Sequence, residues 1–347
     1  MSVKCFGIIG LGMIAEFHAQ AIEHMADAKL VAGFDPVPGR AKQFAEKHGC
    51  RGYESLDEFL KDPELEICTV ATPSGLHLDG AVAAAKAKKH VIVEKPLEVT
   101  PERCAKIIEA CRENGVQLSG VFPSRYHKPA MLVKKAVQEG RFGQIAFADA
   151  QIKWYRSQEY YDSGAWRGTW KMDGGGCLMN QGIHAIDLLQ WLMGPVEEVT
   201  AFTKTLAHER IEVEDVAAAA LKFKNGALGT IEGTTCAYPG SLKRIEIMGT
   251  KGSAVIEEES LVQWQFAEET EEDEKIRQTY MNATATGGGA SDPSAISFVP
   301  HQHLFEAFVR SLDNNTTPEV SGESASKSVE IICAAYESAK TGKTVKL

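Results

Sequence analysis

The sequence predicts an α/β chain in two domains. Residues 1–123 are expected to form a doubly wound parallel sheet, and residues 124–347 an α+β domain with a large, mainly antiparallel, open sheet. Three observations carry this. At 347 residues the chain exceeds what one hydrophobic core usually serves. In its first third, short apolar runs alternate with stretches of helical spacing, the pattern of parallel strands joined by helices. From Gln144 onward the runs lengthen, alternate and are broken by turn residues, the pattern of an antiparallel sheet.

Composition narrows the class. With 44% hydrophobic and 24% charged residues, the chain is neither fibrous nor disordered throughout. Lysine and arginine total 37 against 47 acidic residues, and a net charge of -10 argues against a nucleic-acid or anionic-membrane surface. No run approaches the roughly 18 apolar residues of a membrane span. The eight cysteines are scattered without a C-x-x-C pair, several inside apolar runs, so they are expected to be reduced and buried. Met1 leads straight into a strand with no basic, apolar leader, and a cytoplasmic location is expected.

Lys4 to Ile9 is the first strand, ending in Gly10-Leu11-Gly12-Met13-Ile14-Ala15 before helical spacing resumes from Glu16 to Met25. A strand, a glycine turn and a helix are the setting in which G-x-G-x-x-A is informative. Gly10 permits the tight turn, Gly12 lets the backbone approach a pyrophosphate beside Met13 and Ile14, and Ala15 keeps helix and strand close. The second run, Leu30 to Phe34, ends in Asp35, a carboxylate suited to an adenosine ribose and repellent to a 2′-phosphate. NAD is therefore expected over NADP. Arg40 is the only neighbour suited to that phosphate, and it reads better as the start of a helix over Ala41 to His48. This is the Rossmann arrangement.

Glu66 to Ala71 and Val91 to Val93 give further strands, with helices over Gly80 to Ala87 and Pro101 to Asn114. Ligands bind at the carboxyl ends of such strands, which places Thr72, Pro73, Ser74, His77, Glu94 and Lys95 at the cofactor edge. Pro96 fixes the backbone beyond Lys95 and leaves an ammonium at the mouth of that site. Leu118 to Phe122 closes the sheet, and Pro123-Ser124-Arg125-Tyr126 crosses into the second domain.

There, a helix over Pro129 to Glu139 precedes alternating runs at 144–154, 196–205, 215–223, 227–234, 243–248, 253–256 and 261–266, with a hairpin signal at Asn225-Gly226. Between the first two lies a helix predicted from Cys177 to Met193, apolar on most sides. Asn180, His184 and Asp187, at i, i+4 and i+7, form a polar line down it. Just before it, Trp166, Arg167 and Trp170 set aromatics beside cations, suited either to sugar rings and anions or to pinning a loop. The acidic run Glu268 to Glu274 and the stretch Asn282 to Ser297 read as a solvated loop, with a lid that orders on substrate as the alternative. No acid or cysteine cluster adjoins His301-Gln302-His303, so no metal is expected. Leu304 to Leu312 and Ser321 to Ala339 complete the helices.

The glycine turn, Thr72-Pro73-Ser74-x-x-His77, Glu94-Lys95-Pro96, and Gly175-Gly176 followed by Asn180-x-Gly182-x-His184-x-x-Asp187 together resemble the Gfo/Idh/MocA family of NAD(P)-dependent sugar and inositol dehydrogenases. The likeness runs nearly end to end. It implies homodimers or homotetramers formed through the open sheet, and a substrate site that includes Lys95, Arg125, Trp166, Arg167, Asn180 and His184. It also implies that Lys95 and His184 meet at the reacting hydroxyl, with His184 as general base and Lys95 stabilising alkoxide charge. Many members carry Asp where this chain has Asn180; an amide cannot take a proton, so Asn180 is expected to orient substrate or cofactor. Asp187 is expected either to support His184 or to tie the helix to the first domain. The wording of this helix and of Trp166 to Trp170 is closest to members that oxidise C3 of nucleotide-linked amino-sugar acids. A free sugar, glycoside or inositol is the alternative substrate. A non-catalytic, NAD-responsive sugar sensor is the reading from another class, and retention of both Lys95 and His184 speaks against it.

Overall fold

A computed structural model describes residues 3–281 and 297–347. The chain divides into two compact units: one holds everything to Pro123 plus Ser297–Val329, the other Ser124–Ile296 plus Glu330–Leu347. In the first, β1 (Lys4–Ile9), β2 (Ala28–Phe34), β3 (Arg51–Tyr53), β4 (Ile67–Val70), β5 (His90–Val93) and β6 (Leu118–Gly120) lie in the order β3-β2-β1-β4-β5-β6. Every pair is parallel. The strand order reverses between β1 and β4, which opens a crevice at their carboxyl ends. Phe6, Ile8, Ile67, Val70 and Val91 to Val93 are buried, as strands covered on both faces require. β3 escaped the sequence reading because Arg51-Gly52-Tyr53 carries no apolar run; its side chains reach Asp62 instead, at 2.6 Å from Arg51 Nε and 2.9 Å from Tyr53 Oη.

Ser297–Val329, which the sequence reading left in the second domain, packs within the first unit. The helix Val299–Asp313 lies against the helix Met13–Glu23, and the Phe305 ring stands 5.2 Å from that of His18 and 6.0 Å from that of Phe6. Farther on, Gly120 N and Ser119 Oγ both donate to Val320 O, at 2.9 and 3.0 Å. Helical spacing shows that a face is buried; it does not show against what.

The second unit is built on β7 (Ile145–Lys153), β8 (Val196–Lys204), β9 (Val216–Phe223), β10 (Leu228–Thr234), β11 (Arg244–Gly249), β12 (Gly252–Glu257), β13 (Ser260–Phe266) and β14 (Val345–Lys346). Their order is β13-β12-β11-β7-β10-β9-β8-β14, antiparallel except for the pair β7 and β10. The hairpin expected at Asn225-Gly226 joins β9 to β10, with Gly226 at φ +90°. The helix Ile183–Met193 lies against β7 and β11, whose Ala148, Ala150, Ile152, Ile245 and Ile247 are buried. Alternate residues on the other face point outward, and Phe202 is 79% exposed there.

Part of the expected solvated loop is a helix. Glu271–Tyr280 begins with a reciprocal cap between Thr270 and Asp273, and Asp273 is fully buried. Its carboxylate accepts Arg141 Nη1 and Nη2 at 2.8 Å each and Trp264 Nε1 at 2.7 Å. The remainder of that expected loop, residues 282–296, lies outside the described residues. Removing the carboxylate in Asp273→Ala should cost about 2–4 kcal/mol in urea unfolding, because buried donors lose their acceptor. Burial pushes this carboxyl up, but Arg141, Thr270 and Trp264 more than reverse it and hold it far below the ordinary range. A depressed folded pKa stabilises above the unfolded value of about 3.9, and that stability fades as pH falls. The gap between parent and variant should therefore narrow below about pH 4; a gap that widens there would contradict the assignment.

Candidate active site

At the carboxyl end of β1 the glycine turn is doubly constrained. Gly10 has φ +89°, and a Cβ on it would lie 2.7 Å from Thr72 Cγ2. Gly12 differs: its φ of -84° suits any residue, and a Cβ there would meet nothing within 4 Å. The space it leaves stands before the first turn of the helix Met13–Glu23, where backbone N–H groups have no helical partner and an anion is favoured. A dinucleotide pyrophosphate fits that chemistry. Met13 is 54% exposed beside the space, and Ile14 is half-buried. Asp35 accepts Leu11 N and Val37 N, each at 2.9 Å, so it ties the glycine turn to the end of β2. Arg40 does begin the helix Arg40–His48, and it also reaches Asp35 Oδ2 at 3.1 Å, a contact the sequence did not suggest.

At the end of β5, Glu94 turns inward. Its Oε2 accepts the backbone N–H of Lys95 at 2.9 Å, and its Oε1 lies 2.9 Å from His18 Nε2 and 3.8 Å from His301 Nε2. Burial raises the Glu94 carboxyl, but the two rings more than reverse this and hold it well below its ordinary value. Lys95 itself is half-buried, and the Lys95-Pro96 peptide is cis. Thr72 and Pro73 are half-buried at the end of β4, whereas Ser74 and His77 are enclosed.

The acid that the sequence did not place beside His301 is thus Glu94, with His18 as a third member. The ligating atoms of His18, Glu94 and His301 lie within 4.8 Å of one another, as do those of His208, Asp215 and Cys236. Neither His18 Nδ1 nor His301 Nδ1 has a hydrogen-bond partner among the described residues. Metal-bound imidazoles normally have that second nitrogen held. In the buried trio the carboxylate is hydrogen-bonded by the His18 ring, with the His301 ring at ion-pair distance.

In the second unit the helix predicted from Cys177 to Met193 is broken in phase. Cys177–Gly182 forms a wider, π-helical turn, and the α-helix runs from Ile183 to Met193. Such turns add a residue to the helix and concentrate at functional sites. Glu214 caps this start by accepting Gly176 N and Leu178 N at 2.9 Å each, together with Tyr336 Oη at 2.9 Å. Burial raises the Glu214 carboxyl against those three donors. A Cβ on Gly175 would strike Tyr336 Oη, one on Gly176 the Glu214 carbonyl, and one on Gly182 would lie 2.8 Å from Cys177 O. Gly175 and Gly176 are there because Tyr336 and Glu214 press on the start of the turn, and Gly182 because the turn closes on Cys177.

Asn180 donates from Nδ2 to Asp173 Oδ1 and accepts from Gln181 Nε2, while Asp173 Oδ2 accepts Gly168 N at 2.8 Å. Gln181 also donates to Tyr160 Oη at 2.9 Å, and Arg167 Nη1 donates to the same oxygen at 2.7 Å. The Arg167 guanidinium stacks 4.3 Å from the Tyr160 ring and 4.5 Å from that of Trp166. Trp166, Arg167 and Asn180 are therefore brought into one network, and half-buried His184 stands one helical turn beyond Asn180. Sequence reasoning missed Asp173, Tyr160, Gln181 and Glu214. Only Asp173 carried a signal, by preceding three glycines.

Arg125, expected at the substrate, is 1% exposed, and it meets Asp187 through Nε at 2.8 Å and Nη2 at 2.6 Å. Burial raises the Asp187 carboxyl and Arg125 opposes it. Asp187 is thus committed to Arg125, a partner within its own unit, rather than to the first domain.

Residues 4–122 match the family of oxidoreductases with an NAD-binding Rossmann fold, and residues 131–255 match the GFO/IDH/MocA C-terminal domain. Two solved structures are similar over the whole chain. The WlbA dehydrogenase of Bordetella pertussis, in complex with NADH and UDP-GlcNAcA, is 36% identical, with 100% of this chain and 99% of that one covered and a TM-score of 0.88. The WlbA protein of Chromobacterium violaceum, with the same two ligands, is 36% identical, with 100% and 96% covered and a TM-score of 0.89. The myo-inositol 2-dehydrogenase of Thermotoga maritima is 28% identical over 98% of both chains.

The Arg125 and Asp187 pair yields a stability test. Arg125→Met alone should cost about 3–5 kcal/mol, since it strands a buried carboxylate, whereas Arg125→Met with Asp187→Leu should cost clearly less. Chemical unfolding in which the double variant is less stable than either single one would remove the pair from its structural role.

Proposed function

The chain belongs to the GFO/IDH/MocA family of NAD-binding oxidoreductases, and from that premise we propose that it oxidises a secondary alcohol of a sugar derivative, with C3 of a UDP-linked amino-sugar acid as the reacting carbon. The observation that carries the reading is Lys95, whose backbone is fastened at the carboxyl end of β5 by the buried Glu94. NAD, when bound, supplies the nicotinamide that takes the hydride. Gly10, Gly12, Met13 and Ile14 receive its pyrophosphate, Asp35 its ribose, and Thr72, Pro73 and Ser74 line the nicotinamide side. His77 and Glu94 support this edge from behind.

Lys95 stabilises negative charge on the substrate oxygen, and His184 removes the hydroxyl proton. Asn180 orients the substrate with its amide set by Asp173 and Gln181. Trp166 offers a sugar-stacking face and Arg167 a cation beside it. Arg125 is left out of the substrate site, because it is enclosed with Asp187. The UDP-sugar reading is supported by the 36% likeness to two proteins solved with NADH and UDP-GlcNAcA. A free inositol is the second reading, supported by the full-length likeness to an inositol dehydrogenase.

The outward face of the eight-stranded sheet, with Phe202, Leu228 and Phe147 exposed on it, pairs copies of the chain into a dimer or tetramer. No helix among the described residues is long and apolar enough to cross a membrane, and the eight cysteines form no disulfide, which supports a reducing cytoplasm.

Reduced-nicotinamide absorbance should rise with UDP-GlcNAcA and NAD; turnover confined to free sugars or inositols would overturn the UDP-sugar reading. Lys95→Ala should lower turnover by about a thousandfold and leave the NAD Kd nearly unchanged. A fully active variant would remove Lys95 from the chemistry. Asp35→Ala should shrink the preference for NAD over NADP by about tenfold, roughly 1.4 kcal/mol, and an unchanged ratio of the two Kd values would take Asp35 off the ribose. Phe202→Asp should shift sedimentation toward the monomer; a parental profile would clear the open face of that role.

A further inference from the structure

His77 opens the helix His77–Lys86 and is 1% exposed. Its Nδ1 lies 2.8 Å from Pro96 O, and its Nε2 lies 3.0 Å from Thr72 O. Both partners are main-chain carbonyl oxygens, which only accept. A neutral imidazole has one N–H, so it would satisfy one carbonyl and set a bare nitrogen lone pair against the other. Only a ring protonated on both nitrogens meets both contacts.

We propose that His77 is a buried imidazolium that ties the carboxyl ends of β4 and β5 together through Thr72 and Pro96, and that it acts as a positioning residue for Lys95 rather than as a ligand of the cofactor. The charges around it bear this out. On the segment after β5, the carboxylates of Glu94 and Glu98 both favour a cation at the ring. Arg103, from the helix Pro101–Asn114, is engaged by Glu98 Oε1 at 2.6 Å and Gly75 O at 3.0 Å. On its own helix Asp79 is exposed. Burial works against the charged ring and sets its pKa below the ordinary value, while the two carbonyls, Glu94 and Glu98 work for it. The contacts decide for the charged form, since losing either proton turns a hydrogen bond into a repulsive pair of oxygen and nitrogen lone pairs.

The consequence falls on the neighbour of Pro96. Lys95 has its own N–H held by Glu94 Oε2, and the next carbonyl is held by His77. Its backbone is therefore pinned on both sides. Loss of one pin shifts the base of the ammonium, and a misplacement of about 1 Å can cost roughly a hundredfold in rate.

This inference rests on the role proposed for Lys95, and two measurements separate them. In protein labelled with nitrogen-15 at histidine, the His77 ring, identified by its absence from spectra of His77→Gln, should show protons on both nitrogens at pH 7. One bare nitrogen there would overturn the imidazolium whatever Lys95 does. In steady-state kinetics, folded His77→Gln should lose about ten- to a hundredfold in kcat, with a much smaller change in NAD Kd. An unchanged kcat, or a loss confined to NAD Kd, would overturn the positioning role. If the variant does not fold, the ring is assigned through its own backbone resonances and the protonation state still decides.

Discussion

Taking a carboxylate out of water costs several kcal/mol unless donors meet it in place. In this protein that cost is offset by groups that must then stand in fixed positions. Glu94 is met by His18 and by the N–H of Lys95, Glu214 by two amides and a tyrosine, Asp173 by Gly168 N and the Asn180 amide, and Asp187 by both arms of Arg125. Each of these anions fixes a residue of the candidate site or the helix that bears it. The reactive groups are ordered from behind.

The same logic explains the glycines. Gly10 and Gly176 are required because the chain passes too close to Thr72 and to Glu214 for any side chain. At Gly12 a Cβ would meet nothing and φ suits any residue, so neither packing nor the backbone requires a glycine there. Crowding and room, read together, separate the glycines that the fold requires from the one that it does not.

The proposed chemistry also gains from the widened turn at Cys177–Gly182. Within it the Asn180 amide meets Asp173 and Gln181, while His184, in the α-helix beyond, is half-buried. Asp173 thereby sets a carboxylate beside the Asn180 amide.

The sequence by itself determined the fold class, nearly every strand, the glycine turn with Asp35, and the Lys95-Pro96 corner, because periodicity and turn chemistry are local and are written in consecutive residues. It did not show that His301 would reach Glu94, that Arg125 would be consumed by Asp187, that Glu214 would cap the helix at Gly176, or that His77 would bridge two carbonyls. Those are pairings between groups far apart in the chain. Periodicity could say that these polar residues were buried, but burial has no address. Only the tertiary structure decides which donor stands opposite which acceptor, and that choice separates the residues that touch ligands from those that hold them in place.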